Sequence, residues 1–183
     1  MQFSHSCYRL YHKGFTLIET IVGIVILAIS FSVLTSLIYP IAQQSAEQLH
    51  QVKAAELAQS MLNEIQNKAF DQKSDMAGGL LRCGETGALA CSTVMGEETG
   101  ETRATFNDVD DYNGLVYSAG EIKNSQEQPL DLYFGYAMSI SVCNDANYNG
   151  SCNGDTSTAK LIIVTIITPT DFVMKFSTYR ANF

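Results

Sequence analysis

The sequence predicts an α+β fold in which one long N-terminal helix precedes an antiparallel sheet, and three patterns indicate it. Residues 20–39 are twenty consecutive residues without a charge. Residues 136–142 alternate between large apolar and small side chains, which is typical of a half-buried strand. Residues 161–168 are β-branched and apolar, as in a central strand. Because the helix comes before all the strands and does not alternate with them, the pattern favours α+β over α/β.

The uncharged run of residues 20–39 is predicted to span a membrane. Twenty helical residues extend about 30 Å at about 1.5 Å per residue, which is the thickness of a bilayer's hydrocarbon core. A buried core helix is the alternative. Arg9 and Lys13 precede the run and the next basic residue is Lys53. The positive-inside rule therefore places the N-terminus in the cytoplasm and the chain after residue 39 outside.

Residues 41–72 are predicted to continue the helix as an amphipathic half, after a transmembrane half at residues 15–40. Apolar residues recur there at helical spacing and are expected to pack on the sheet. Pro40, at the junction, is expected to kink or loosen the helix. The predicted stripe consists of Leu49, Val52, Ala55, Ala58, Leu62, Ile65 and Ala69.

Residues 73–183 are predicted to form a globular domain outside the membrane. Its first part is rich in glycine and is expected to be a loop region. The Thr-Pro-Thr-Asp sequence at residues 168–171 is typical of a turn and indicates a hairpin. Strands are expected at residues 103–106, 115–118, 136–142, 161–168 and 172–179.

Charge and composition exclude two classes of function. The net charge of the 183 residues is −8, and an acidic surface repels nucleic-acid backbones, so no nucleic-acid partner is expected. Beyond the first fourteen residues the chain has one histidine, His50. No Ser-His-Asp or Cys-His arrangement and no glycine-rich phosphate loop can be recognised, so the sequence predicts that the protein is not an enzyme.

The cysteines predict two disulfides in the outer domain. Cys7 lies on the cytoplasmic side, whereas four others lie outside, where disulfides persist. Four cysteines allow three connectivities. Local pairing is favoured because each local pair brackets a Gly/Asn-rich loop, and zinc is the rival interpretation. The favoured pairs are Cys83 with Cys91 and Cys143 with Cys152.

The start of the apolar run carries a motif. Residues 13–19 read Lys-Gly-Phe-Thr-Leu-Ile-Glu, and with the apolar run they resemble the type III signal of the type IV pilin superfamily. The resemblance implies that residues 1–14 are a leader, which a prepilin peptidase removes between Gly14 and Phe15 before Phe15 is N-methylated. It also implies the fold of that superfamily, a long helix packed on an antiparallel sheet.

Glu19 is a carboxylate just inside the entrance of the apolar run. In filaments of the superfamily, the corresponding carboxylate is thought to pair with the N-terminal ammonium of a neighbouring subunit, so the resemblance implies that Glu19 guides assembly. The alternative is local. Thr16 and Glu19 have the spacing of a capping box, and a carboxylate in the first turn is favoured by the helix dipole.

A possible calcium loop begins at Asp145. Asp145, Asn147 and Asn149 supply oxygen ligands at positions one, three and five, and Gly150 stands at six, as in the first half of a calcium-binding loop. Asp155 follows, but the glutamate expected at position twelve is absent. An Asx-rich turn stapled by a disulfide is the alternative, in which case no cofactor is needed.

A second acidic cluster lies at residues 108–114, where three carboxylates occur within four residues. They are expected on a surface loop, with or without calcium. Nine acidic and two basic residues lie between residues 97 and 131, which is typical of a solvated face. Residues 108–114 also resemble a stretch of minor pilins from mannose-sensitive haemagglutinin (MSHA) pili.

The resemblance implies a minor pilin of an MSHA-like type IV pilus, which adheres to surfaces. Its expected partners are other pilins through the helix, the prepilin peptidase/N-methyltransferase and the inner-membrane assembly machinery. The expected location is the inner membrane, in a single pass with a cytoplasmic N-terminus, and then the pilus at the cell surface. The alternatives are a minor pseudopilin of a type II secretion system and an anchored domain that never polymerises.

Overall fold

The computed structural model describes residues 14–74 and 81–182. The predicted leader, except Gly14, lies outside the described residues, as does Cys7. One helix, α1 (Leu17–Gln66), precedes all four strands, so the predicted α+β class is confirmed. Two short 3-10 helices lie at Asp110–Tyr112 and Asp131–Tyr133. The strands are β1 (Val116–Tyr117), β2 (Ala137–Asn144), β3 (Ala159–Ile167) and β4 (Val173–Ala181).

The chain divides into two compact units, Met1–Ala46 and Glu47–Phe183. In the first unit, the side chains of α1 are exposed at residues 17–41 and 44–46. Its hydroxyl groups bond to the helix's own backbone. Ser30 Oγ donates to the carbonyl of Ile26 at 2.8 Å, and Thr35 Oγ1 donates to that of Phe31 at 2.9 Å. Such internal pairing leaves few polar groups unsatisfied in hydrocarbon, which a spanning helix requires.

In the second unit, one face of α1 is buried, but this face differs from the predicted stripe. Ala58, Leu62 and Ile65 are buried as predicted. Leu49 and Val52 are 57% and 56% exposed, so the stripe was wrong at its beginning. At 3.6 residues per turn, nine residues place Leu49 on the side of the helix opposite Ala58. The buried helix positions are Ala54, Leu57, Ala58, Met61, Leu62 and Ile65.

The helix ends at Gln66, six residues before the predicted boundary at residue 72. Beyond it the backbone pairs with a distant segment and no longer with its own preceding turn. The amide of Ala69 donates to the carbonyl of Asn107 at 3.4 Å, and the amide of Val109 donates to the carbonyl of Ala69 at 3.1 Å. This long-range bridge satisfies groups that another helical turn would have used.

The four strands form one antiparallel sheet in the order β1-β2-β3-β4. Ser139 of β2 lies between Val116 of β1 and Thr165 of β3, and Ile163 of β3 pairs with Ser177 of β4. Met138, Ile140 and Val142 are buried, so the predicted alternation of β2 is correct. The predicted hairpin between β3 and β4 also forms, and its turn is closed by the amide of Thr168 donating to the carbonyl of Phe172 at 3.0 Å.

Residues 103–106 do not form the predicted strand. Local hydrogen bonds close a turn there, because the amide of Thr105 donates to the carbonyl of Thr102 and the amide of Thr102 donates to Thr105 Oγ1, both at 2.8 Å. Threonine hydroxyls compete in this way with sheet hydrogen bonds. Arg103 in this turn is buried and pairs with Glu64 at 2.5 Å.

The core of the second unit lies between the buried face of α1, the inner face of the sheet and the first 3-10 helix. Tyr112 from that 3-10 helix is fully buried and meets the ring of Phe106 edge-on at 5.2 Å. The Tyr112 hydroxyl donates to Glu64 Oε1 at 2.8 Å, so packing against Phe106 fixes the ring and a hydrogen bond fixes the hydroxyl. The segment that carries residues 108–114 is therefore part of the core.

Candidate functional site

The predicted cleavage site lies at the accessible beginning of the described chain. Phe15 is 82% exposed, and no described atom beyond the chain neighbours lies within 4 Å of where a Cβ on Gly14 would stand. The helix starts at Leu17, two residues after Phe15. The Gly14–Phe15 bond thus lies in accessible, non-helical chain, which a peptidase requires. Cleavage and methylation there stay predictions.

Thr16 directly precedes the helix, at the N-cap position, and Glu19 lies in the first turn. Thr16 Oγ1 accepts a hydrogen bond from the Glu19 amide at 3.4 Å, and the Thr16 carbonyl accepts one from the Thr20 amide at 3.2 Å. Half of the capping box is therefore formed. The Glu19 carboxylate has no hydrogen bond or ion pair with any described residue, so it is available to a partner outside the chain. The role of Glu19 in assembly stays a prediction.

The helix behind this motif is apolar enough to cross a membrane. An 18-residue window of α1 has a mean hydropathy of 2.6, and none of that window is buried within the structure. Exposed apolar surfaces of this extent are rare on soluble monomers and mark contact with a membrane or with other proteins.

The comparison with protein families bears on this N-terminal region. Residues 9–35 match the family model of the prokaryotic N-terminal methylation motif. The chain carries this methylation motif. The motif supports membership of the type IV pilin-like superfamily, without separating pilins from pseudopilins, and indicates a structural subunit. No curated protein and no solved structure matches the chain.

Both local disulfides are formed in the second unit. Cys83 and Cys91 are joined with their Cα atoms 4.8 Å apart, and both pack against Phe70. Cys143 and Cys152 are joined with their Cα atoms 5.6 Å apart. The second disulfide closes the start of the β2–β3 connection, so each bridge fixes a loop of the second unit.

The loop after Asp145 is a network of turns. Asp145 Oδ2 accepts hydrogen bonds from the Tyr179 hydroxyl at 2.8 Å and from the Gly150 amide at 2.7 Å. Burial opposes ionisation of Asp145, but these hydrogen bonds outweigh it and lower the pKa of its carboxyl. The Asn149 side chain accepts from the Ser151 amide at 2.8 Å. These contacts match the stapled-turn alternative.

The remaining predicted calcium ligands are placed separately. Asn147 is exposed, and Asp155 Oδ1 accepts hydrogen bonds from the amide and hydroxyl of Ser157 at 2.9 and 3.0 Å. Those hydrogen bonds lower the pKa of Asp155. Internal donors already engage Asp145, Asn149 and Asp155. Calcium binding by this loop stays a prediction.

Residues 108–112 lie in the interior, not on the expected surface loop, whereas Asn113 is half-buried and Gly114 is exposed. Asp108, Asp110 and Asp111 are all buried. Asp108 Oδ1 accepts hydrogen bonds from the amides of Asp110 at 3.1 Å and Asp111 at 3.3 Å, and its Oδ2 accepts one from the amide of Gln72. Asp108 and Asp111 can be buried because their oxygens accept hydrogen bonds from backbone amides, whereas Asp110 Oδ1 pairs with Lys160. Counting charges along the sequence did not reveal these roles.

Sequence reasoning missed the buried cation next to these aspartates. Lys160 in β3 is fully buried, and its Nζ lies 2.5 Å from Asp110 Oδ1 and 3.7 Å from Asp71 Oδ2. Nζ also donates to the carbonyl of Phe70 at 2.6 Å and lies 4.6 Å from the centre of its ring. A lysine at the start of an otherwise apolar strand was the signal that could have revealed this ion pair.

A second cluster of three carboxylates lies in the acidic stretch that the sequence predicted to be a solvated face. One oxygen from each of Glu98, Glu101 and Asp111 lies within 4.8 Å of the other two. Burial, together with the neighbouring Glu101 and Asp111, raises the pKa of Glu98 to about 7. Glu98 and Glu101 are half-buried and Asp111 is buried. The group thus combines three like charges with limited solvation.

Proposed function

We propose that this protein is a minor pilin of an MSHA-like type IV pilus, which enters or primes the filament and contributes to surface attachment. The observation that carries the proposal is the methylation motif at the head of an unburied apolar helix. A motif that is cut and methylated would leave a new N-terminus directly in front of α1. The helix would then hold the subunit in the inner membrane until assembly.

Exposure of the apolar half of α1 supports assembly with other subunits. Burial of one apolar side chain of this size contributes about 1.5–3 kcal/mol, so many such residues on one helix provide large cohesion. The same surface can be covered by lipid before assembly and by neighbouring helices afterwards. Transfer between the two environments needs no change in the fold of the second unit, Glu47–Phe183, which is the outer unit of the proposed subunit.

The free carboxylate of Glu19 supports a defined register between subunits. An ion pair in a dry environment compensates for its desolvation only when both partners are present. A processed neighbour supplies the N-terminal ammonium of Phe15. Pairing of that ammonium with Glu19 would favour a single axial position of each incoming helix.

The outer unit supports a subunit that faces solvent. Its loops are fixed by two disulfides, and binding residues are often found on loops held by a rigid scaffold. The similarity of residues 108–114 to minor pilins of MSHA pili is the basis for choosing that pilus. In the structure residues 108–112 form a buried core segment, so the similarity chiefly concerns folding of the outer unit.

Intact mass spectrometry of the unreduced protein from native fibres and membranes tests the proposal. We expect a chain that begins at Phe15, is heavier by one methyl group and is lighter by the four hydrogens of two disulfides. A chain that keeps residues 1–14 would contradict processing. A processed chain absent from sheared fibres, whose deletion stops export of secreted enzymes, would instead indicate a pseudopilin.

A further inference from the structure

The group formed by Glu98, Glu101 and Asp111 is built from two segments that the fold brings together. Glu98 and Glu101 flank a turn in which the Glu101 amide donates to the Glu98 carbonyl at 3.1 Å. The Glu98 amide donates back to Glu101 Oε2 at 3.2 Å. Asp111 lies in the first 3-10 helix, which is anchored in the core. Three carboxylates are thereby held together by backbone structure.

Two carboxylate oxygens of this group lack partners. Asp111 is 2% exposed, and its Oδ2 accepts hydrogen bonds from the amides of Asn107 at 2.7 Å and Asp108 at 3.0 Å. Its Oδ1 is buried and receives no hydrogen bond from an N–H or O–H donor, and the same holds for Oε2 of Glu98. The carboxyl of Glu98 can reach those of Glu101 and Asp111 only by sharing a proton with them. Buried polar atoms are rarely left unsatisfied in native proteins, so each such atom points to a missing partner.

The missing partner must be positively charged. Two adjacent carboxylates repel each other when both are ionised, and burial strengthens that repulsion. No basic residue in the described part of the chain forms an ion pair with Glu98, Glu101 or Asp111. A proton or a bound cation is left to neutralise the group. The raised pKa of Glu98 reflects the same deficit of positive charge.

Two pockets border the group, one at Asp111 and one at Glu98, and Glu101 lines neither of them. One pocket of about 350 Å³ is lined by Asp111, Asn113 and Glu97, among others. A second, of about 240 Å³, is lined by Glu98, Ser92 and Glu97, among others. Both have room for an ion with water ligands, so the carboxylates need not supply the whole coordination shell.

We propose that Glu98, Glu101 and Asp111 bind one Ca²⁺ ion. Calcium takes six to eight oxygen ligands at about 2.3–2.6 Å in flexible geometry, so ligand oxygens on opposite sides of the ion are about 5 Å apart. Carboxylate oxygens within 4.8 Å of one another suit that spacing. Magnesium requires a near-ideal octahedron at about 2.0–2.1 Å, which three carboxylates on a loop and a short helix are less suited to supply.

The ion would join the 98–101 turn to the core through Asp111. This inference is independent of the proposed pilus function, because it concerns only the second unit. It also differs from the predicted calcium loop at Asp145, whose carboxylate is already engaged by internal donors.

Calcium titration of the full chain in detergent micelles, after removal of metals with a chelator, tests the proposal by calorimetry. We expect saturable binding of calcium in the micromolar to millimolar range. Glu98→Gln and Glu101→Gln should each weaken binding at least about tenfold. Glu121→Gln is the control, because Glu121 is exposed, lies outside the group and lines neither pocket. Asp155→Asn, in the loop after Asp145, should also leave binding unchanged, and loss of binding in that variant would place the ion in that loop and overturn the proposal.

Thermal melting distinguishes loss of the ion from loss of folding. In chelator, Glu98→Gln should melt at or above the temperature of the unsubstituted chain, because it removes repulsion. Calcium should raise the melting temperature of the unsubstituted chain and of Glu121→Gln, but not that of Glu98→Gln. Absence of binding up to about 5 mM calcium, beyond the range of extracellular calcium modules, would overturn the proposal. Equal binding by Glu98→Gln and Glu121→Gln would overturn it as well.

Discussion

At the scale of single residues, charge is used differently in the two units. Glu19 is exposed, and its carboxylate has no partner among the described residues. Lys160 is fully buried but has two carboxylates and a carbonyl within reach of its Nζ. A buried cation is tolerated only when carboxylates and carbonyls surround it, so Lys160 belongs to a domain whose interior charges are already paired. An unpaired carboxylate at an exposed apolar surface indicates a contact still to be made.

The role of Glu19 can be separated from helix capping. Glu19→Gln keeps the backbone amide that Thr16 caps but removes the charge. Loss of one partner from a buried ion pair costs about 3–5 kcal/mol, so incorporation into fibres should fall at least about a hundredfold. The measurement is the ratio of processed subunit in sheared fibres to that in membranes.

Thr16→Ala is the control for this experiment, because it removes the cap and keeps the carboxylate. Thr16→Ala should cost about 1 kcal/mol of helix stability. Its incorporation into fibres should fall much less than that of Glu19→Gln. Wild-type incorporation of Glu19→Gln would reject the assembly role. Equal losses in both variants would favour capping as the function of this motif.

At the scale of elements, the sequence predicted those with a strong internal period. Strand β3 and the membrane-length helix were predictable because β-branched or apolar runs dominate them, and the hairpin to β4 was predictable from the turn sequence that follows β3. Boundaries set by distant contacts were not predictable. The helix ends where Ala69 pairs with the backbone of residues 107–109, which no local pattern reveals. The turn at residues 103–106 is closed by local hydrogen bonds, but its buried Arg103 is paired with Glu64 only through folding.

The buried face of α1 can be tested by truncation. Ile65 is fully buried in the core, whereas Leu49 on the same helix is 57% exposed. Ile65→Ala should destabilise the second unit by about 2–4 kcal/mol, through lost burial and the cavity left behind. Leu49→Ala, in detergent, should change stability by less than about 0.5 kcal/mol. Denaturant unfolding followed by tyrosine fluorescence measures both, and similar effects would contradict this placement of the face.

At the scale of the whole molecule, the N-terminal site was predictable and the interior charges were not. The methylation motif is contiguous, so Gly14, Phe15 and Glu19 can be read from one short stretch. Lys160 and Asp110 are fifty positions apart, and Glu98 meets Asp111 only through folding. Sequence charge counts treated these acidic residues as a solvated face because burial depends on the tertiary fold.

The same interior charges predict how stability depends on pH in the absence of calcium. The pKa of Glu98 is raised to about 7 and that of Asp108 to about 8, chiefly by burial. Each folded-state value exceeds the unfolded value, so the folded chain binds more protons than the unfolded chain at intermediate pH. Stability should therefore fall as pH rises from about 5 to about 8.

Melting temperatures in chelator across that range measure this effect. The slope should be smaller for Glu98→Gln, which cannot titrate at this position. Carboxyls with lowered pKa values, such as Glu64, lose their contribution only at more acidic pH and do not oppose the trend. A melting temperature that rises between pH 5 and 8 would contradict these placements.

The contacts of Lys160 with Phe70 and Asp110 also predict the order in which the outer unit folds. Lys160 is ninety residues from Phe70 and fifty from Asp110 in the chain, whereas β3 and β4 are joined by a tight turn. Contacts between neighbouring segments form faster than those that must first close long loops. The hairpin should thus form early, and the lysine stays hydrated until both distant segments dock. Docking of those segments onto β3 is then the late step of folding.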